Sequence, residues 1–279
     1  MSFAQITGHY PPGLEGIKNG SAPPPGHYTK MYNFYYYADT LKTGSGSTAN
    51  TRFGLFNYAV AFRHLWMTET KILGADYGLD MAVPLIYTDL TLGPLDERQF
   101  GLGDIFVEPL VLGWHYPGLD LSFAYSFFAP TGKFAVSRPA SPGKGFWSYI
   151  LAFGITYYFD AERTWAISTA HRFEFNTENK DLKITPGTNY YLEWGISKAI
   201  SPTVEVGLVG YFQRQLTNDT GSGVTYDASV HDQVAGTGLE VSLFIPSLKL
   251  NIQPRLIGEF AAKDRAQGFT GWIVFTKIW

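Results

Sequence analysis

Arg63, Asp76, Asp80, Asp104, Glu108, Asp120, Arg172, Glu174, Glu193, Glu205, Asp232, Glu240, Arg255 and Glu259 fall at alternating positions, opposite apolar faces. They share their own faces with Gly and Ser. Eleven are carboxylates and three are guanidiniums. Groups scattered this way do not form an acid–base pair. They can charge a wet passage, select counter-ions and brace it by ion pairs. Arg63, Asp80, Glu108, Arg172, Glu193, Arg255 and Glu259 lie nearest the middle of their segments and are expected at the constriction.

Other chemistry fits poorly. His9, His27, His64, His115, His171 and His231 show no His-x-x-x-His spacing, and no metal or cofactor is expected. An outer-membrane phospholipase needs Ser two residues after a His. Pro11, Thr29, Trp66, Pro117, Phe173 and Gln233 stand there, so no enzyme is expected. Cysteine is absent, and the net charge of −3 lacks the basic excess of a nucleic-acid binder.

The elements that must carry these charges are strands. In "LDLSFAYSFFA", Leu119, Leu121, Phe123, Tyr125 and Phe127 alternate with Asp120, Ser122, Ala124 and Ser126. "WSYILAFGITYYF", "TVEVGLVGYFQ" and "LNIQPRLIGEF" repeat the pattern. Aromatics reach 16% and charged residues only 16%, yet mean hydropathy is −0.06. One face for lipid and one for water gives that balance. A basic side chain facing lipid at the midplane would cost about 2–4 kcal/mol, so the charges face inward. No apolar run is long enough for a membrane helix.

The chain parses into about twelve strands, near 28–40, 52–68, 71–86, 102–115, 118–130, 146–159, 164–176, 188–198, 203–216, 231–245, 249–262 and 269–279. Short connections such as "TET", "YPG" and "ISP" alternate with long ones, including "YTDLTLGPLDERQF" and "KDRAQG". This sorting predicts a transmembrane antiparallel β-barrel with tight periplasmic turns and longer outer loops. Trp66, Trp114, Trp147, Trp165 and Trp194 are expected in aromatic belts. The C-terminal "GWIVFTKIW" is the expected closing strand, and Trp279 the signal read by the barrel assembly machinery.

Residues 27–279 form this barrel, and residues 1–26 are a separate Pro/Gly-rich segment. Pro11, Pro12, Pro23, Pro24 and Pro25 forbid regular strand pairing there. The segment is either a periplasmic tail or a lumen plug that folds into or across the periplasmic mouth and narrows the pore, anchored by Tyr10, Leu14 and Ile17.

Three stretches carry a family resemblance: "GHYPPGLEGIKNGSAPPPGHYTKMYNFYYYADTL", "GLGDIFVEPLVLGW" and "DLSFAYSFFAPTGKF". Together they resemble the SphA-like, MetA-pathway of phenol degradation family of proteobacterial outer-membrane proteins. The resemblance implies an outer-membrane channel, often encoded near genes for degrading aromatic or hydrophobic compounds. It transfers no catalytic residue.

The expected function is passive diffusion of small solutes through a narrow lumen with pH-dependent ion selectivity. The alternatives are uptake of hydrophobic or aromatic compounds, with sideways release through the wall, and a sealed structural or adhesin-like barrel. Pro84, Pro109 and Pro254, which delete ladder donors, are candidates for a gap in the wall. The expected partners are outer-membrane lipid, the assembly machinery and small solutes, with the barrel a monomer.

Overall fold

A strand with one wet and one lipid face is stable across a membrane only when every backbone group is paired, and that requires closure. The computed structural model describes residues 7–279 and shows closure. The strands are β1 (Gly26–Leu41), β2 (Phe53–Ile72), β3 (Ala75–Leu92), β4 (Leu95–Leu102), β5 (Ile105–Tyr116), β6 (Leu119–Ala129) and β7 (Ser148–Tyr158). They continue as β8 (Trp165–Asn176), β9 (Asn189–Ser201), β10 (Val204–Gln215), β11 (Gln233–Ile245), β12 (Leu250–Lys263) and β13 (Ala266–Ile278). Neighbours pair antiparallel, and β1 pairs with both β2 and β13, so the sheet closes. The register Tyr28↔Ile278 through Tyr36↔Thr270 confirms "GWIVFTKIW" as part of the closing strand.

Phe62, Leu208, Leu239 and Leu256 are 52%, 52%, 64% and 60% exposed at mid-wall, next to residues that are buried or half-buried. Such an apolar belt belongs in lipid. Trp194 departs from the expected belt position: it lies well inside β9, paired with Gly210.

Three connections differ from the sequence reading. "YTDLTLGPLDERQF" is no loop. Its residues complete β3, turn at Gly93 and return as β4. β3 pairs with β4 through Leu85–Leu92 and with β5 through Asp76–Ala82, so β4 and β5 share one course of the wall and twelve courses result. "KDRAQG" likewise contains only a tight turn between β12 and β13. At the opposite end, "TET" lies inside β2 and the turn falls at Leu73 and Gly74.

Pro109 sits at a bulge in the β5–β6 ladder, between Val107 and Leu110. Beside Pro254 the β11–β12 ladder is interrupted between Glu240↔Arg255 and Leu243↔Ile252. Pro84 lies near the point where β3 changes partner, and its carbonyl accepts from Gly103 N–H at 2.9 Å.

Candidate functional site

Residues 7–25 have no strand partner, so their buried amides need acceptors from elsewhere. The barrel wall supplies carboxylates. Glu174 accepts from the N–H groups of His9 (2.6 Å) and Tyr10 (3.4 Å). Glu193 accepts from Glu15 N–H at 3.4 Å, and Glu240 from Ile17 N–H at 3.3 Å. Arg255 donates to the carbonyl of Gly13.

These contacts trace a course through the lumen. Near the short turns, Ser21 donates to Asp120 at 2.9 Å. Farther along, Lys18 pairs with Glu205 at 2.8 Å, and Ile17 packs with Val209, Tyr211, Val234 and Ile257. At the long-loop end, Lys144 of loop 130–147 donates to the carbonyls of Thr7 (2.8 Å) and Gly8 (2.6 Å). The described part of the segment therefore runs from the short-turn end to the long-loop end. Residues 1–6 of the expected N-terminal segment lie outside the described residues.

Two glycines allow this fit. Gly16 adopts φ +87°, and a Cβ there would overlap Glu240 Oε2. A Cβ on Gly20 would strike the Ile155 backbone. The anchor residues engage as well. Tyr10 packs edge-on to Tyr191 and lies under the Arg172 guanidinium at 4.6 Å. Leu14 packs against the clusters of Tyr10 and of Tyr32.

The sequence-selected charges separate into groups. Arg63 binds Asp80 (2.9 Å), Glu108 (2.8 Å) and Glu15 (2.9 Å), with Phe106 beneath it at 5.5 Å. Arg172 pairs with Glu193 at 3.1 Å, and Arg255 with Glu240 at 2.7 Å. Asp104 and Glu174 meet at His9. Glu259 stands apart, accepting from Tyr36 (2.8 Å), Tyr211 (2.7 Å) and Gly268 N–H (2.8 Å). Asp76 lies near the short-turn rim with Lys71 and His115.

Besides Glu15, Lys18, Lys71 and His115, four further cationic or titratable partners escaped the sequence reading. Lys30 lies 3.8 Å from Glu15, and Arg265 binds Asp232 at 3.1 Å and Gln213 at 2.5 Å. Lys144 and His9 are the others. Inward position was readable for Lys30 from alternation in β1, but its partner was not. Arg265 and Lys144 lie in stretches read as loops. Burial pushes the Glu15 carboxyl up, yet Lys30 and Arg63 outweigh it and hold Glu15 well below the usual range. Burial lowers Lys144 to about 8.

His9 also brings Ser148 (2.7 Å) and Asp104 (2.8 Å) into a triad-like line. Ser148 is fully buried, and its hydroxyl donates to Asn176 Oδ1 at 2.5 Å. The Asn176 amide nitrogen is itself committed to the Gly187 carbonyl at 2.9 Å. A nucleophile must be exposed and lose its proton to the base. Ser148 does neither, so the arrangement ties down the segment.

Beside the segment lies a cavity of about 610 Å³. Phe34, Leu55, Ala59, Ala61, Pro84 and Ile86 give it an apolar wall on β1–β3. A smaller space of about 110 Å³ lies on the other side of Tyr10, Leu14, Arg63 and Phe106, which line both.

A family model described as "Putative MetA-pathway of phenol degradation" matches residues 38–275. No curated protein matches the chain. The fold is similar to that of the COG4313 outer membrane channel from Pseudomonas putida F1 (TM-score 0.82, 13% identity, 97% of this chain and 100% of that one). It is also similar to the β domain of the Bordetella autotransporter BrkA (TM-score 0.55, 11% identity, 92% and 100%). The translocator domain of the Neisseria meningitidis autotransporter NalP gives TM-score 0.53 at 9% identity, over 92% and 89%.

Proposed function

Since the chain belongs to the MetA-pathway of phenol degradation family and is an outer-membrane β-barrel, we propose that it is a channel for uptake of small apolar compounds. The observation that carries this reading is the cavity of about 610 Å³ walled by β1–β3. That volume falls in the range of small-molecule sites, about 300–1,000 Å³. The compound enters from the long-loop side, rests against the apolar wall and leaves when the Arg63 partition or the N-terminal segment shifts. A sideways exit would use the break at Gly103 and Asp104, where β3 changes partner.

The charged lining supports a second, ion-conducting reading of the same barrel. With residues 7–25 seated, its carboxylates are bonded to arginines and to the segment's amides. Ionic flow is then small. Once the segment leaves, the lumen carries excess negative charge and prefers cations. That preference falls between about pH 7 and pH 4 as carboxylates protonate. The barrel works as a monomer in lipid. Trp279, whose indole donates to Thr29 at 3.0 Å, serves as the assembly mark.

The test is uptake of radiolabelled naphthalene by proteoliposomes. Ala61→Trp places an indole in the cavity while leaving the ion pairs alone. Uptake should fall to the level of empty vesicles. Unchanged uptake in a folded Ala61→Trp barrel would overturn the apolar route.

A further inference from the structure

The apolar wall of the cavity is interrupted at one level. Register places Thr88 beside Asn57, Asn57 beside Tyr36, and Tyr36 beside Thr270, across β3, β2, β1 and β13. All four line the cavity. The next row toward the short turns is Ile86, Ala59, Phe34 and Trp272, and the row on the other side includes Leu90 and Leu55. A polar stripe therefore lies between two apolar ones.

Two members of the stripe are unsatisfied. Asn57 Oδ1 and Thr270 Oγ1 are buried and have no hydrogen-bond partner among the described residues, and Thr270 is only 3% exposed. Tyr36 differs, because its hydroxyl is committed to Glu259. Buried polar atoms are paired in the great majority of cases, and exceptions need a reason. Strand pairing does not create the need for these side chains. Val at 270 and Leu at 57 would continue the apolar wall without loss of any bond.

We infer that the Thr88–Asn57–Tyr36–Thr270 row reads a single neutral hydrogen-bonding group, a hydroxyl or carbonyl, on an otherwise apolar ligand. The inference rests on the uptake reading above and adds a chemical criterion to it. The amide and hydroxyls offer both donors and acceptors, whereas the flanking rows offer apolar contact and, at Trp272, one unpaired indole N–H donor. A charged ligand fits less well. Glu259 already accepts from three donors, and Arg265 is held by Asp232 and Gln213. Next to the row these groups set one positive charge against two negative ones, and the other cations that line the cavity are already held, Arg63 by Asp80, Glu108 and Glu15 and Lys144 by the Thr7 and Gly8 carbonyls. A site built to bond a polar group discriminates against the analogue that lacks it, because its own buried groups then stay unpaired.

The experiment is isothermal titration of the full chain in lipid nanodiscs, corrected for partition into empty nanodiscs. The probes are 2-naphthol, naphthalene and 2-naphthoate. The wild type should bind 2-naphthol at least about fivefold more tightly than naphthalene, and 2-naphthoate least. The double variant Asn57→Leu/Thr270→Val should bind the first two equally. Thr270→Ser, which keeps the hydroxyl, should retain most of the preference, and heat-modifiable migration checks that each variant is folded. Equal binding of 2-naphthol and naphthalene by the wild type would overturn the inference but leave the uptake reading intact. So would a preference that survives in the double variant, or tightest binding of 2-naphthoate. Failure of all three probes to bind would instead sink the uptake reading itself.

Discussion

The inner faces of β8–β12 and of β1–β3 line the same lumen and have opposite characters. On β8–β12, Arg172, Glu174, Glu193, Glu240 and Arg255 each contact residues 8–17 or a partner that does. On β1–β3, beyond the Arg63 cluster, the face is largely Phe34, Leu55, Ala59, Ala61 and Ile86, broken by the Tyr36–Asn57–Thr88 row, and it borders open volume. The comparison teaches what the carboxylates are for. A segment without strand partners brings unpaired amides and carbonyls into the barrel, and it can dock only where the wall offers acceptors and donors. The apolar side offers few, so the segment leaves that side empty, and the emptiness is the cavity.

Deleting residues 7–25 should break this division most severely. Single-channel conductance in planar bilayers should rise on the order of tenfold, with cation preference, while the barrel stays heat-modifiable. Unchanged conductance would mean that the segment does not limit the path. Filling the apolar side is next. Ala61→Trp should reduce naphthalene uptake roughly tenfold with little change in conductance, since bulk added to an apolar pocket excludes ligand without touching the ion pairs. Equal effects on both readouts would mean that the two sides do not act separately.

Gly16→Ala should act on the docked side alone. The positive φ and the overlap with Glu240 cost about 1–3 kcal/mol. Conductance should rise severalfold, short of the deletion, and Gly16→Asn should be milder because Asn tolerates positive φ.

The pH effects are smallest. Glu15 is held well below the usual carboxylate range, so its contribution is fully present above that range and is lost only as pH falls through its depressed value. The part of the conductance that depends on Glu15, read as the difference between the full chain and Glu15→Gln, should therefore stay flat from about pH 8 to about pH 5. Lys144 has a folded value of about 8, below the ordinary value near 10.4, so the unfolded chain binds more protons between them and stability rises with pH there. The midpoint of heat-modifiable unfolding should rise slightly from about pH 7 to about pH 9.5. Lys144→Met should abolish the rise.

Much of this barrel was legible in the chain. Period-two alternation put Arg63, Asp80, Glu108, Glu193 and Arg255 on one face, and each pairs with an opposite charge in the structure. β4 was not legible. Asp96, Glu97 and Arg98 read as loop because polar residues occupy both faces. They form a strand because this hairpin extends beyond the apolar belt, where Arg98–Asp89 (2.8 Å) and Arg52–Asp96 (3.1 Å) can face water. The partners of His9 were not legible either. Asp104, Ser148 and Glu174 lie 95, 139 and 165 residues away.

The sequence by itself therefore determined the class of fold, the sharing of one strand face by the charges and the closing strand, because each follows from a local rule: side chains alternate along a strand, and charge avoids lipid. Only the tertiary structure decided how far the N-terminal segment travels, which carboxylate takes which amide, and which side of the lumen is left apolar and open. Those outcomes depend on register and closure, which bring together residues far apart in the chain and which no short stretch encodes.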